Sequence, residues 1–496
     1  MARKTKRKQS TFERLTSGKM NRKQRKEWEL RLNSDTPRLD VVHPDAAGID
    51  IGNESHFAAV APEKDQRPVR EFGSWTRELH QLAEWLKLCG VKTVAMQSTG
   101  VYWIALYDVL EKYGFEVFLV NARHTKNVPG RKSDVQECEW LRKLHTYGLL
   151  RNSFRPPEHI RGLRTVWRLR DRHVQEAGRC VQHMQKTLTE MNVQLANAIS
   201  DISGVSGQAI IRAILGGERD THKLAALRDR RIAASEEEIA RSLEGNWQED
   251  LLFELRQAVE AYEFQQQQLA ACDRQLQIYL AALPDRSINL DDSATGTTPP
   301  QGPGCGGEGG GKKRRKNKRP SQNAPKSFDL AGELTRVCGV DATRIPGVDV
   351  MTIQTVVAEL GTDLKSSWST ESHFASWLNL SPKRDISGGK VIRHRREKTS
   401  NRVAAVLRMG ASTLLRSDSY LGARYRNLRA RLGAPKAVKA MARYLACLIY
   451  RLLTQGQEWI DRGAERFELQ RQQRELSALQ RRANSLGFQL VAQTTA

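Results

Sequence analysis

The sequence predicts an α/β domain, a long helical segment and an all-α C-terminal domain, in that order along 496 residues. Three observations lead there. Between about 41 and 155, short apolar runs that read as strands alternate with amphipathic stretches of helical period. Between 156 and 285, two apolar seams keep heptad spacing over several turns. From 329 to 462 the apolar residues recur at helical spacing. The remaining segments, 1–40, 286–328 and 463–496, read as a basic arm, a flexible Gly/Pro-rich basic linker and a helical tail.

Charge names the partner before any motif does. A formal net charge of +24 calls for a polyanion, through phosphate neutralisation and counterion release. Nucleic acid leads, and an anionic membrane is the competitor. The longest apolar run, Tyr444 to Tyr450, falls far short of the roughly 18–20 residues that span a bilayer, so no membrane partner is expected. The basic N-terminus has no apolar segment behind it and is not read as a secretory signal. The cysteines are scattered singly, without a C-x-x-C pair. Neither a zinc ribbon nor a disulfide framework is expected, and a reducing cytoplasm is the simplest location.

In chain order, strands are expected at 48–52, 55–61, 69–75, 93–97 and 115–121, with helices at 78–88, 101–113 and 133–147. Three early strands followed by alternating helices and strands match an RNase H-like layout, a mixed sheet covered by helices. The first heptad seam runs Val174, Ala177, Val181, Met184, Leu188, Met191, Leu195 and Ala198. The second runs from Leu252 to Leu283, interrupted by Gln266 and Asp273. Two readings stay open: an antiparallel hairpin within one chain, or a coiled coil that joins copies. Several shorter helices are expected within 201–246. The linker carries a bare basic block, Lys312 to Arg319, suited to holding nucleic acid electrostatically; a nuclear-localisation address is the formal alternative. Further on, Ile345-Pro346-Gly347-Val348-Asp349 before an apolar-periodic stretch looks like a helix-hairpin-helix, whose turn offers backbone N–H groups to phosphate. Helices follow at 371–378, 401–415 and 434–453. The tail carries Leu469, Leu476, Leu479 and Leu486 in a short heptad run.

Two clusters carry chemistry. Ser387 lies in the small-residue turn Ile386-Ser387-Gly388-Gly389-Lys390, among Lys383, Arg384, Lys390, Arg393, Arg395, Arg396, Lys398 and Arg402. A serine becomes a nucleophile when its proton is removed and the charge on the attacked group is neutralised, and these cations suit a phosphate. Lys390, Arg395 and Arg396 are the candidates for the scissile phosphate. The plainer reading is a basic hairpin resting on nucleic acid. Far upstream, Asp50 sits within an apolar strand, where a carboxylate is costly unless paired or on a metal. Asp134 and Glu137, three residues apart in Gly130-Arg131-Lys132-Ser133-Asp134-Val135-Gln136-Glu137, share one helix face; the plainer reading is an acidic helix N-terminus. Asp50, Asp134 and Glu137 meeting at one sheet edge would suit a hard cation such as Mg²⁺.

Five stretches in this order resemble one family: 48–52, Gln97-Ser98-Thr99-Gly100-Val101-Tyr102-Trp103, 130–134 with Glu137, 345–348 and 387–390. They are similar to the DEDD-type insertion-sequence transposases, the "one-ten" group and within it the "eleven-eleven" subgroup. The resemblance covers about 41–215 and 330–455. It implies a RuvC-like N-terminal domain with four acidic positions and a C-terminal transposase domain with a serine nucleophile. It further implies a homo-oligomer, dimer or tetramer, in which the serine of one chain meets the acids of another. DNA, both element ends and target, would be the substrate, and a structured guide RNA encoded by the element would direct it. A bacterial cytoplasm, on the nucleoid, would be the location. By that likeness Asp50 takes the first acidic position, Asp134 the third and Ser387 the nucleophile; Arg131 and Lys132 join the nucleic-acid contacts.

Two positions depart from the family pattern. The second acidic position is Gln97, an amide, and the fourth is Glu137 where aspartate is usual. Glutamate keeps the charge; Gln97 brings an oxygen ligand without charge or proton-accepting capacity. A hydrolase using two metals about 3.5–4 Å apart needs a full carboxylate set, whereas a serine recombinase needs only that the phosphate be stabilised during attack. The expectation is therefore transesterification through a phosphoserine, with Mg²⁺ on Asp50, Asp134, Glu137 and Gln97. The alternatives are a metal-dependent junction nuclease and a degenerate copy that binds nucleic acid without reacting.

Overall fold

The computed structural model describes residues 40–98, 100–121, 133–286, 321, 323–388, 390–395, 401–456 and 463–490. The basic arm 1–40 and the linker 286–328 lie almost wholly outside them, as do Arg131, Lys132, Arg396 and Lys398. The chain divides into two units, Met1–Arg155 and Pro156–Ala496.

The first unit is built on Ala46–Ile51 (β1), buried along nearly its whole length because it pairs on both sides. Ser55–Ala59 (β2) and Val69–Gly73 (β3) follow as an antiparallel meander, and Thr93–Gln97 (β4) and Glu116–Val120 (β5) add parallel to β1. The sheet order is β3-β2-β1-β4-β5. Side-chain alternation splits the sheet into two faces. Ala47, Ile49 and Ile51 of β1, with Val94 and Met96 of β4, join the apolar core formed with Thr76–Leu88 (α1) and Trp103–Lys112 (α2). The opposite face carries Asp134–Thr146 (α3). The result is three layers, helices on both faces of a mixed sheet. Arg155 closes the unit, its guanidinium 3.9 Å from the Tyr107 ring centroid and 2.5 Å from Asp108.

The second unit begins with Glu158–Glu190 (α4). Four short helices follow, Leu195–Ala198 (α5), Val205–Leu215 (α6), Thr221–Ala225 (α7) and Glu236–Ser242 (α8), and then Glu249–Ala281 (α9). α4 and α9 run antiparallel along one another within the chain: Gly162 lies against Tyr279, His173 bonds Gln265 and Lys186 reaches Glu254. The two heptad seams pack on one another within the chain, as the hairpin reading expects. The polar interruption Asp273 has a physical cause, for its carboxylate accepts from buried Arg170 Nε at 2.5 Å; such a pair fixes register, since a shifted hairpin would bury both charges unpaired. The short helices cap the far end of the hairpin around Met184, Leu188, Ile210, Ile214, Leu224 and Leu255.

At the near end, Arg336 of Leu330–Cys338 (α10) donates to the carbonyls of Leu280 and Leu283 at 2.8 and 2.9 Å. These belong to the orphan acceptors that a helix C-terminus leaves. Val350–Leu360 (α11) is almost wholly buried, with Leu364–Ser367 (α12), Glu371–Trp377 (α13), Arg402–Thr413 (α14), Tyr420–Leu432 (α15) and Ala434–Gln455 (α16) completing the helical region. Tyr450 donates its hydroxyl proton to Trp368 O at 2.5 Å, and Arg451 grips Glu371 through two bonds. The tail forms Gly463–Ser485 (α17).

One expectation is corrected here. The C-terminal domain is not all-α: Lys383–Ser387 (β6) and Lys390–Arg395 (β7) form a two-stranded antiparallel sheet between α13 and α14. The 345–349 turn joins a short helical turn to α11 and packs on one side. Gly347 (φ +83°) backs onto Gly410 of α14, where an added Cβ would collide with the Gly347 carbonyl. Asp349 caps α11 by accepting from Thr352 N at 2.8 Å, so part of the donor set at that helix end is already satisfied.

Candidate active site

The acidic cluster is placed by the way α3 lies on the sheet. Gly48 permits very close approach: a Cβ there would overlap the backbone N of Arg142 and the carbonyl O of Cys138. α3 runs antiparallel to β1, since Val42 and His43, just before β1, bond Thr146 O near its end. Asp50 lies two residues beyond Gly48, on the same face, and so points toward the first turns of α3. That turn holds Asp134 and Glu137, with Ser133 as N-cap accepting from Gln136 N at 3.4 Å. Gln97 occupies the matching end of β4, one step past the Ile49–Met96 pair, and its Nε2 lies 3.4 Å from Glu137 Oε2. The four predicted positions therefore line one edge, at the carboxyl ends of parallel strands, where α/β sheets place ligands.

Their environments differ. Gln97 is buried, Asp50 and Glu137 are half-buried and Asp134 is exposed. Burial, with a smaller contribution from the Asp50 carboxylate, pushes the Cys138 thiol up to about 12, so it stays protonated; its Sγ donates to Val135 O. Among the described residues no three His, Cys, Asp or Glu side chains stand close enough to hold a metal ion. Three carboxylates and an amide oxygen nonetheless have the donor chemistry of a hard-cation site. Closing on an ion would require Gln97 to exchange its bond to Glu137 for coordination through its oxygen.

Sequence reasoning missed the other end of the α3 seam. Buried His145 meets Thr93 Oγ1 at 2.9 Å and stacks on His43 at 4.5 Å between ring centroids. Burial, then the neighbouring His43, lowers it to about 4. It anchors the far end of the helix whose first turn carries Asp134 and Glu137.

Ser387 lies in the second unit, at the end of β6 and paired with Lys390 of β7 across the Gly388-Gly389 turn. Gly388 has φ +56°, a conformation glycine adopts freely. Cross-strand partners stand about 4.5–5.5 Å apart at Cβ, so the hydroxyl has a cation for a neighbour. Arg384, Ser387, Lys390 and Arg393 are exposed, while Lys383 and Arg395 pair at the base of the ribbon. A bulge between Asp385 and Ile386 shifts the register; bulges of this kind re-aim side chains beside active sites. Arg402 is held within the helical region: its Nη1 lies 2.7 Å from Asp171 and its Nε 3.9 Å from Glu359. Buried Glu359 also accepts from Arg164 at 2.8 Å and from Arg168 at 2.7 and 2.8 Å. Burial alone would raise its carboxyl, but Arg168 and Arg164 hold it below the ordinary value. Arg402 thus joins a structural hub, which no local sequence signal announces.

The structure thus presents an acidic edge on an α/β sheet and, in the second unit, an exposed serine on a cation-rich ribbon. A family model described as Transposase, that of the DEDD-type IS110 transposases, matches residues 47–193, which contain the whole acidic edge. A second, Transposase IS116/IS110/IS902 family, matches 342–426, which contain the serine ribbon. The chain is a transposase, an enzyme acting on DNA. It belongs to the DEDD-type IS110 transposases of insertion sequences. No curated protein matches it. No helix among the described residues is long and apolar enough to cross a membrane.

Proposed function

We propose that this transposase cuts and rejoins DNA through Ser387, assisted by the acidic edge. The observation that carries the reading is the exposed Ser387 paired across a glycine turn with Lys390. In the first step Ser387 Oγ bonds to the scissile phosphorus, the bond from phosphorus to one sugar oxygen breaks, and the proton lost from Oγ is balanced by one gained on the departing sugar hydroxyl. A hydroxyl of the second strand then displaces Ser387, so phosphodiester energy is kept. Lys390, Arg393 and Arg384 lie where they can neutralise phosphate charge. Lys383, Arg395, Arg396, Lys398, Arg131 and Lys132 extend the same basic character.

Asp50, Asp134 and Glu137 would hold Mg²⁺, with the Gln97 amide oxygen as a neutral ligand. When bound, such an ion would supply charge neutralisation for phosphodiester chemistry. The sheet order β3-β2-β1-β4-β5, with acids at the ends of β1 and the first turn of α3, supports an RNase H/RuvC-like reading of the first unit. An element-encoded guide RNA and assembly of several copies belong to the same reading, supported by the +24 charge and by the family.

The deciding experiment is Ser387→Ala on a DNA substrate carrying the element junction. Strand exchange should fall by about 10³-fold or more, and a covalent protein–DNA species trapped with the natural chain should be absent. Unimpaired cleavage by the variant would instead establish a metal-dependent nuclease. If Gln97→Glu alone confers recombination on an otherwise inert protein, the natural chain is a degenerate copy.

A further inference from the structure

The most conspicuous apolar surface outside the site is on α17. Its second turn is anchored: Phe467 is buried edge-on against Tyr420 of α15, and the Tyr420 hydroxyl lies 3.4 Å from Gln470. Beyond that anchor its side chains are largely exposed among the described residues. Leu469, Leu476, Leu479 and Leu486 are each more than half exposed, and they fall on one seam. With Gln472 and Ala483 the seam is spaced three, four, three, four, three, the alternation that lets one helix seat against another; its last leucine lies one residue past the end of the helix.

The seam is complementary to itself in one orientation. Placed antiparallel about a two-fold axis between Ser477 and Ala478, it sets Leu476 against Leu479, Leu469 against Leu486 and Gln472 against Ala483. Each leucine meets a leucine, and the long amide meets the small methyl. In parallel register, Gln472 would face Gln472 and Ala483 would face Ala483, burying two amides and leaving a void. Charge agrees. Glu475 and Arg482 flank the seam on the same side, and in the antiparallel pair each faces the opposite charge of the other copy, twice by symmetry. In parallel register the same Glu475 would face Gln480.

We propose that α17 is a self-association surface whose occupant is α17 of a second copy, paired antiparallel through 469–486. The contact is short, under three heptads, and stabilises most when another contact already brings two copies together. This interface is separate from Ser387 and from the acidic edge, and its test does not depend on the reaction.

The test is sedimentation of the full chain, freed of nucleic acid and held at high salt so that DNA or RNA cannot bridge copies. The natural chain should self-associate in the micromolar range. Leu476→Glu combined with Leu479→Glu should remove the α17-dependent association and leave the thermal melt of the dilute protein unchanged. Glu475→Arg should weaken association about tenfold, by turning two attractions into repulsions, and Glu475→Arg with Arg482→Glu should restore it. Four results would overturn the proposal. They are a natural chain that stays monomeric, an oligomer indifferent to the leucine substitutions, a lowered melt in the dilute leucine variant, which would place the stripe inside its own chain, and no restoration by the charge exchange.

Discussion

The acidic edge and the serine ribbon are built by opposite means. Gln97 is buried and Asp50 half-buried in a seam where α3 lies directly on the sheet, so their positions are set by the core of the first unit. Ser387 sits on two strands whose described side chains are exposed, and an isolated two-stranded ribbon is marginal in water. A cation site requires ligands held in place before the ion arrives. On the proposed reading, a nucleophile that must reach a duplex gains from a thin, accessible support. The difference teaches that in this transposase rigidity is concentrated at the acids and access at the serine.

That contrast can be broken from either side. The largest stability effect is expected at the hub that holds Arg402: Glu359→Gln leaves Arg164, Arg168 and Arg402 around a neutral amide and should cost about 3–5 kcal/mol, read as a lowered denaturation midpoint. Next is His145. Its folded value of about 4 lies below the ordinary 6.5, so the unfolded chain binds the proton first as pH falls. Its contribution is fully present above about pH 6.5 and is lost between there and about pH 4, up to about 3 kcal/mol; His145→Gln should flatten melting across that window. Gly48→Ala should cost about 1–3 kcal/mol by lifting α3 from β1, and should impair strand exchange with the chain still folded. Smallest is Ser387→Ala, which should leave stability within about 0.5 kcal/mol while abolishing exchange. A large loss of stability in that last variant would mean that the ribbon is part of the core.

Much of this was legible in the sequence, for local reasons. The apolar run around Asp50 can only be a buried strand, alternation from Thr93 sets Gln97 on one face, and Ser133 announces the start of the helix carrying Asp134 and Glu137. The ribbon was read as a turn among helices because charge interrupts both of its strands. Its signal was the two-residue Gly388-Gly389 turn, which favours a tight hairpin. Glu359 and His145 were not legible at all. Their partners lie on other elements, up to 195 residues away for Arg164, and nothing in a local window announces a contact at that range.

Arg402 gives the ribbon's setting a mechanical meaning. It opens the helix that follows β7, and its guanidinium is tied to Asp171, partway along a 33-residue helix. The start of α14 is therefore fastened to the long shaft of α4, so a change at Asp171 reaches the first turn of a helix more than two hundred residues later.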